Sequence, residues 1–154
     1  MEFIINNLQD KISLDYRWIK KVFTALNKKI TGKMKRHQLV ITLVDDAHIR
    51  RLNKRFLGRD NFTDVIAFPM EERFTIEAGG YRSSRIILGD VVVSVQRARV
   101  QANRFKYSFK EELALLIIHG TLHLLGYDDI KSKDAMLMRQ KEQEILAMLK
   151  LGYR

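Results

Sequence analysis

Two histidines four residues apart, His119 and His123, precede a glycine and two aspartates in the stretch HGTLHLLGYDD over 119–129. On a helix, residues four apart share one face with Cβ atoms about 5–6 Å apart, so two imidazoles can chelate one divalent metal. Gly126 is a natural helix stop that lets the chain turn back. Asp128 or Asp129, just beyond it, can then deliver a third ligand. Three protein ligands leave a coordination position for water, the mark of a catalytic rather than a structural zinc. The bland alternative is that His119 and His123 are core histidines satisfied inside the protein. Two at helical spacing, followed by a turn and two carboxylates, favour the metal.

Composition narrows the ligand chemistry. The chain has 154 residues, 28 Lys and Arg, 18 Asp and Glu, one Pro and no Cys, for a formal net charge of +10. Without cysteine there is no disulfide scaffold and no thiolate zinc site, so a metal must be held by His and carboxylates. The length suits one domain over 1–154, and 46% hydrophobic residues suffice for a core. No apolar run approaches the ~20 residues of a membrane helix, and the start, MEFIINNLQD, lacks the pattern of a signal peptide. The expectation is a soluble, cytoplasmic protein with no membrane contact.

The charge is lopsided: residues 1–60 hold 14 basic and 6 acidic residues, whereas 61–154 hold 14 and 12. Lys28, Lys29, Lys33, Lys35 and Arg36 flank Gly32. Arg50, Arg51, Lys54, Arg55 and Arg59 form a second cluster, and Arg97, Arg99, Arg104, Lys106 and Lys110 a third. Such density suits a polyanion, because each neutralised phosphate releases a condensed counterion. Solvated helix faces would look similar. The aromatics are scattered and show no aromatic-ribbon RNA signature.

The elements that must position these groups follow from periodicity. Residues 2–6 read as a strand. Asp15 caps a helix with Trp18, Ile19, Val22, Phe23 and Leu26 on its apolar face. Residues 37–44 read as a β-branched strand, and Asp45 and Asp46 cap a short helix over 47–56. Residues 63–68 form a third strand stopped by Pro69. Residues 70–85 form an excursion with a turn at Gly79 and Gly80, and 86–94 a fourth strand. Helices are expected over 95–106, from Ser108 to Leu125, and over 133–149, the last with Met136, Leu137, Ile145, Met148 and Leu149 on its apolar face. The second of these is apolar on nearly every side, so it belongs at the centre of the fold. The result is an α+β domain: a four-stranded mixed sheet packed against helices, with a buried central helix carrying the histidines.

At these residues the sequence resembles the YbeY family, bacterial endoribonucleases of ribosomal RNA maturation. His119 to Asp128 matches every specified position of the family pattern H-G-x-L-H-L-x-G-Y-D-H. Leu52-Asn53, Asp60, Thr63-Asp64-Val65 and Phe68-Pro69 resemble a second block, L-N…D-x-x-T-D-V-L-S-F-P. Leu88-Gly89-Asp90 before a valine strand resembles a third, G-D-I-x-I-S. The resemblance runs from about residue 40 to 150 in order and spacing. It implies one Zn2+ held by His119, His123 and Asp129, the last standing where the common pattern has histidine. It also implies an RNA substrate, ribosomal RNA at the 3′ end of 16S, with the ribosome or its small subunit as partner. An arginine linked to activity in many members aligns with Leu57, with Arg55 and Arg59 nearby as substitutes.

The leading expectation is metal-assisted phosphodiester cleavage, with Arg50, Arg51, Lys54, Arg55 and Arg59 holding RNA. The general base is open among Asp128, Asp64 and Asp90. One rival is a metallopeptidase, since metzincin-type sites share the helix–turn layout. Against it, the position of the peptidase general-base glutamate is Gly120. A second rival is a non-catalytic ribosome-assembly factor with a structural zinc, and a third a metal-free α+β domain.

Overall fold

A computed structural model describes residues 1–30, 34, 36–78 and 81–153, without the side chains of 71–78 and 81–84. The expected turns at Gly32 and at Gly79-Gly80, with Lys33 and Lys35, lie outside the described residues. The order is β1 (Glu2–Asn7), α1 (Tyr16–Ile30), β2 (His37–Val44), α2 (Asp46–Leu57), β3 (Val65–Ala78), β4 (Tyr81–Ser94), α3 (Val95–Phe105), α4 (Phe109–Leu124) and α5 (Ser132–Met148). The strands form one sheet in the order β1-β2-β4-β3. β1–β2 and β2–β4 pair in parallel and β3–β4 antiparallel, so the sheet is mixed as the sequence implied.

Alternation along the strands gives the sheet two faces with separate cores. Leu39, Ile41, Leu43, Val91 and Val93 join Ile19, Val22 and Leu26 of α1 and the apolar residues of α4 and α5 in the main cluster. Phe3 stacks on Phe23 at 4.4 Å between centroids, closing that core at β1. On the other face Val44, Ile66 and Val92 meet Ile49 and Leu52 of α2 in a smaller cluster. The molecule is thus three-layered: α2, the sheet, then α1, α4 and α5.

Two expectations need correction. Pro69 does not end β3. It lies on an edge strand paired only with β4, where a missing N–H costs no ladder bond on the open side. The register slips between Pro69 and Glu72, a bulge that absorbs the irregularity. The pairing then resumes, and the expected excursion is a continuation of the β3–β4 hairpin, from Glu72↔Ile87 to Ala78↔Tyr81. The apolar face of α5 is also different: Met138, Glu142, Ile145 and Leu146 are buried, whereas Met136, Leu137 and Met148 are exposed.

α4 begins with a capping box. Ser108 Oγ accepts from the Glu111 amide, and the Glu111 carboxylate accepts from the Ser108 amide at 2.7 Å. Ile117, Ile118 and Leu122 are fully buried; each contributes about 1.5–3 kcal/mol. The helix packs on the sheet at Gly120, where an added Cβ would lie 2.4 Å from Val91 Cγ1 and 3.0 Å from Val65 Cγ2. The glycine is there for close approach, and it faces the sheet. Replacing it is overpacking of a close-set contact, so Gly120→Ala should lose about 1–3 kcal/mol. Urea unfolding checks this; an unchanged midpoint would mean that the helix and sheet have room to spare.

Candidate metal centre

His119 and His123 lie on the last turns of α4 with ring centroids 4.6 Å apart and their Nε2 atoms 3.0 Å apart. The helix ends at Leu124, with Leu125 as its C-cap. Gly126 follows at φ +90°, a conformation an L side chain rarely adopts, and reverses the chain. That reversal brings Asp129 back: one carboxylate oxygen lies 3.9 Å from His119 Nε2 and the other 3.9 Å from His123 Nε2. One ligand atom from each of His119, His123 and Asp129 can be chosen so that all three lie within 4.8 Å of one another. Asp128 serves the turn instead, its Oδ1 accepting from the amides of Asp129 at 2.7 Å and Ile130 at 3.1 Å.

The outer nitrogens are already used. His123 Nδ1 lies 3.1 Å from the Tyr127 carbonyl, which can only accept, so Nδ1 carries the proton. His119 Nδ1 lies 2.7 Å from Glu142 Oε1, and Tyr153 Oη donates to Glu142 Oε2 at 2.7 Å. Glu142 is almost fully buried on α5. With both outer nitrogens engaged, the two Nε2 atoms face each other at 3.0 Å, with either a proton or a metal ion to be shared between them. Zinc–nitrogen bonds of 2.0–2.1 Å at a tetrahedral angle place two ligands about 3.3 Å apart. The spacing of the Nε2 pair and the two-nitrogen, one-oxygen donor set fit such an ion, and a carboxylate behind a ligating histidine is the usual support. Burial pulls the pKa of His119 down, but the hydrogen bond and charge of Glu142, with Asp129 and Asp64, outweigh it and leave it above the ordinary value.

The other sequence candidates separate. Asp64 lies at the start of β3, held by the Val65 amide at 2.8 Å and Gln101 Nε2 at 3.0 Å, and its charge acts on His119. Asp90 does not join the site. Strand alternation puts it on the α2 face with Val92, opposite Val91 and α4, where Thr42 Oγ1 donates to its carboxylate at 2.8 Å. Burial there raises its pKa despite the opposing Thr42 bond.

Among the proposed RNA contacts, Arg50 Nε and Lys54 Nζ are paired with Asp60 at 2.8 and 3.0 Å. Arg51, Arg55 and Arg59 are exposed and form no ion pair among the described residues. Arg59 lines an open groove of about 310 Å³ with Leu57, Asn61, Phe62 and Val65. Buried Asn53 shapes this groove, its amide donating to Asn61 Oδ1 at 2.7 Å. The third basic cluster is partly neutralised as well, through Arg97–Asp46 at 2.6 Å and Lys110–Asp15 at 2.6 Å.

Sequence reasoning missed Glu142, Tyr153 and Gln101. A signal existed for Glu142, a lone carboxylate in the buried stripe of α5. Glu142→Gln should weaken metal affinity about 10–100-fold, the usual cost of losing an outer-shell partner. Asp129→Ala should weaken it further, and Asp128→Ala least. Competition against a chromophoric chelator measures all three, and wild-type affinity in Asp129→Ala would remove that residue from the ligand set.

The same arrangement of elements occurs in the solution structure of TM1509 from Thermotoga maritima, with a TM-score of 0.63 and 23% identity over 96% of this chain and 91% of that one. The chain is 39% identical over 153 residues to a protein named endoribonuclease YbeY from Pelotomaculum thermopropionicum, covering 98% of this chain and 99% of the other. It is 35% identical to one of the same name from Carboxydothermus hydrogenoformans, over 96% of each. The family model described as endoribonuclease YbeY matches residues 4–150. With a match of that extent and relatives aligned over nearly their whole length, the chain belongs to the endoribonuclease YbeY family, whose members are by name RNA-cleaving hydrolases.

Proposed function

We propose that this chain is a zinc-dependent endoribonuclease specific for single-stranded RNA. Its setting on this reading is the cytoplasm, in 16S 3′-end maturation, ribosome biogenesis and quality control, with the ribosome or its small subunit as partner. The observation that carries the reading is the convergence of His119, His123 and Asp129 with both outer ring nitrogens held, in a chain of an endoribonuclease family. Zinc, when bound there, supplies a Lewis acid for a phosphoryl oxygen and for water.

The chain's own residues supply positioning and proton handling. Glu142 and the Tyr127 carbonyl fix the tautomers and ring planes of the histidines. Asp64 is the candidate we favour to take a proton, since its charge acts on His119, while Asp90 lies across the sheet. Arg51, Arg55 and Arg59, which form no ion pair among the described residues, would hold phosphates, whereas Asp60 partly neutralises Arg50 and Lys54. The peptidase reading fares worse, because position 120 points at Val65 and Val91 and leaves no room for a basic glutamate. A purely structural zinc is disfavoured by a ligand set of only three protein residues.

Cleavage of a 16S precursor by wild type and His119→Ala, purified identically, tests the activity. Cleavage should vanish in the variant and on chelation; equal residual activity would point to a contaminating nuclease and end the proposal. Arg55→Glu with Arg59→Glu should weaken RNA binding and flatten its log–log salt slope by about 1.4, or roughly 0.7 per lost single-strand contact. Metal content should not change, and loss of metal in that variant would show the two functions to be inseparable.

A further inference from the structure

Phe62 is out of place for a large apolar ring: it is 47% exposed, in the loop between α2 and β3. Two guanidiniums flank it, Arg50 at 5.4 Å and Arg97 at 5.0 Å from its centroid. Each is itself pinned by a carboxylate, Arg50 by Asp60 at 2.8 Å and Arg97 by Asp46 at 2.6 Å. Their charge is largely answered, so their role at this ring is to fix it rather than to grip phosphate. Phe62 also lines the groove of Arg59 and Asn61, and the same groove is walled by Val65. With Val91, Val65 is also one of the two side chains against which Gly120 of α4 packs. A fixed aromatic surface and a guanidinium with no ion pair among the described residues therefore line one groove.

We propose that Phe62 is a stacking platform for one unpaired base of the RNA, with Arg59 taking the adjacent phosphate. This rests on the RNA reading above and names the residue that selects single strands. Single-stranded nucleic acid is held by aromatic faces for bases and cations for backbone, and stacking tolerates any base identity. A duplex keeps its base faces inside the stack and cannot use the ring. Arg59 in the same groove complements an anionic chain rather than an apolar protein segment.

The test is binding, with chelator present so that nothing is cut. A single-stranded RNA oligonucleotide and an abasic oligonucleotide of equal length are titrated by fluorescence anisotropy into wild type, Phe62→Ala, Phe62→Leu and Phe62→Trp. The alanine and leucine variants should lose about tenfold in affinity for the RNA, and the tryptophan variant little. None should change its affinity for the abasic strand or its salt slope, and all should unfold at the wild-type midpoint. Equal losses on both strands would overturn the proposal. So would undiminished RNA binding by Phe62→Leu, which would mark the patch as an apolar protein contact. In that second case the RNA reading stands and only the platform falls. If wild type binds neither strand, both fall.

Discussion

The seat of α4 on the sheet at Gly120 is the constraint on which the rest depends. A side chain there would overlap Val91, so the helix lies closer to β3 and β4 than any other residue allows. That contact sets the rotation of a helix whose other faces are also buried. With one face committed to the sheet, positions 119 and 123 turn toward α5 and the returning loop. Glu142 on α5 and Asp129 on the loop then meet them from different directions. The missing peptidase glutamate and the packing of the domain are thus one fact, because position 120 serves the core.

Much of this was legible in the sequence, for local reasons. The spacing of His119 and His123, the stop at Gly126 and the carboxylates beyond it are governed by helix geometry and a turn, both encoded within a few residues. The strands and helices follow from apolar periodicity for the same reason. Pro69 misled because its effect depends on whether its strand lies at an edge, which only the tertiary order β1-β2-β4-β3 decides. The buried face of α5 was misread because a carboxylate, Glu142, occupies it. Its pairing with His119 across 23 residues is invisible to periodicity. Tyr153 and Gln101 were hidden in the same way.

Charge tells a parallel story. Counting cations in the sequence gave a broad basic face, but the fold answers a good part of it with Asp15, Asp46 and Asp60. Of the second cluster, Arg51, Arg55 and Arg59 form no ion pair among the described residues, and Arg59 lines a groove beside Phe62. Part of the basic surface is therefore tied internally, at Arg50, Lys54, Arg97 and Lys110.

All three residues that could hold a metal ion lie within the eleven positions 119–129. A partly unfolded chain keeps that ligand set close together, since closing so short a loop costs little entropy. It does not keep Glu142 or the packed Gly120. An ion that also binds the unfolded chain stabilises the native state only by the difference between the two affinities. For a metal ion held by these three residues, that difference would be carried by Glu142 and the packing at Gly120, on α5 and the sheet, rather than by the histidines themselves.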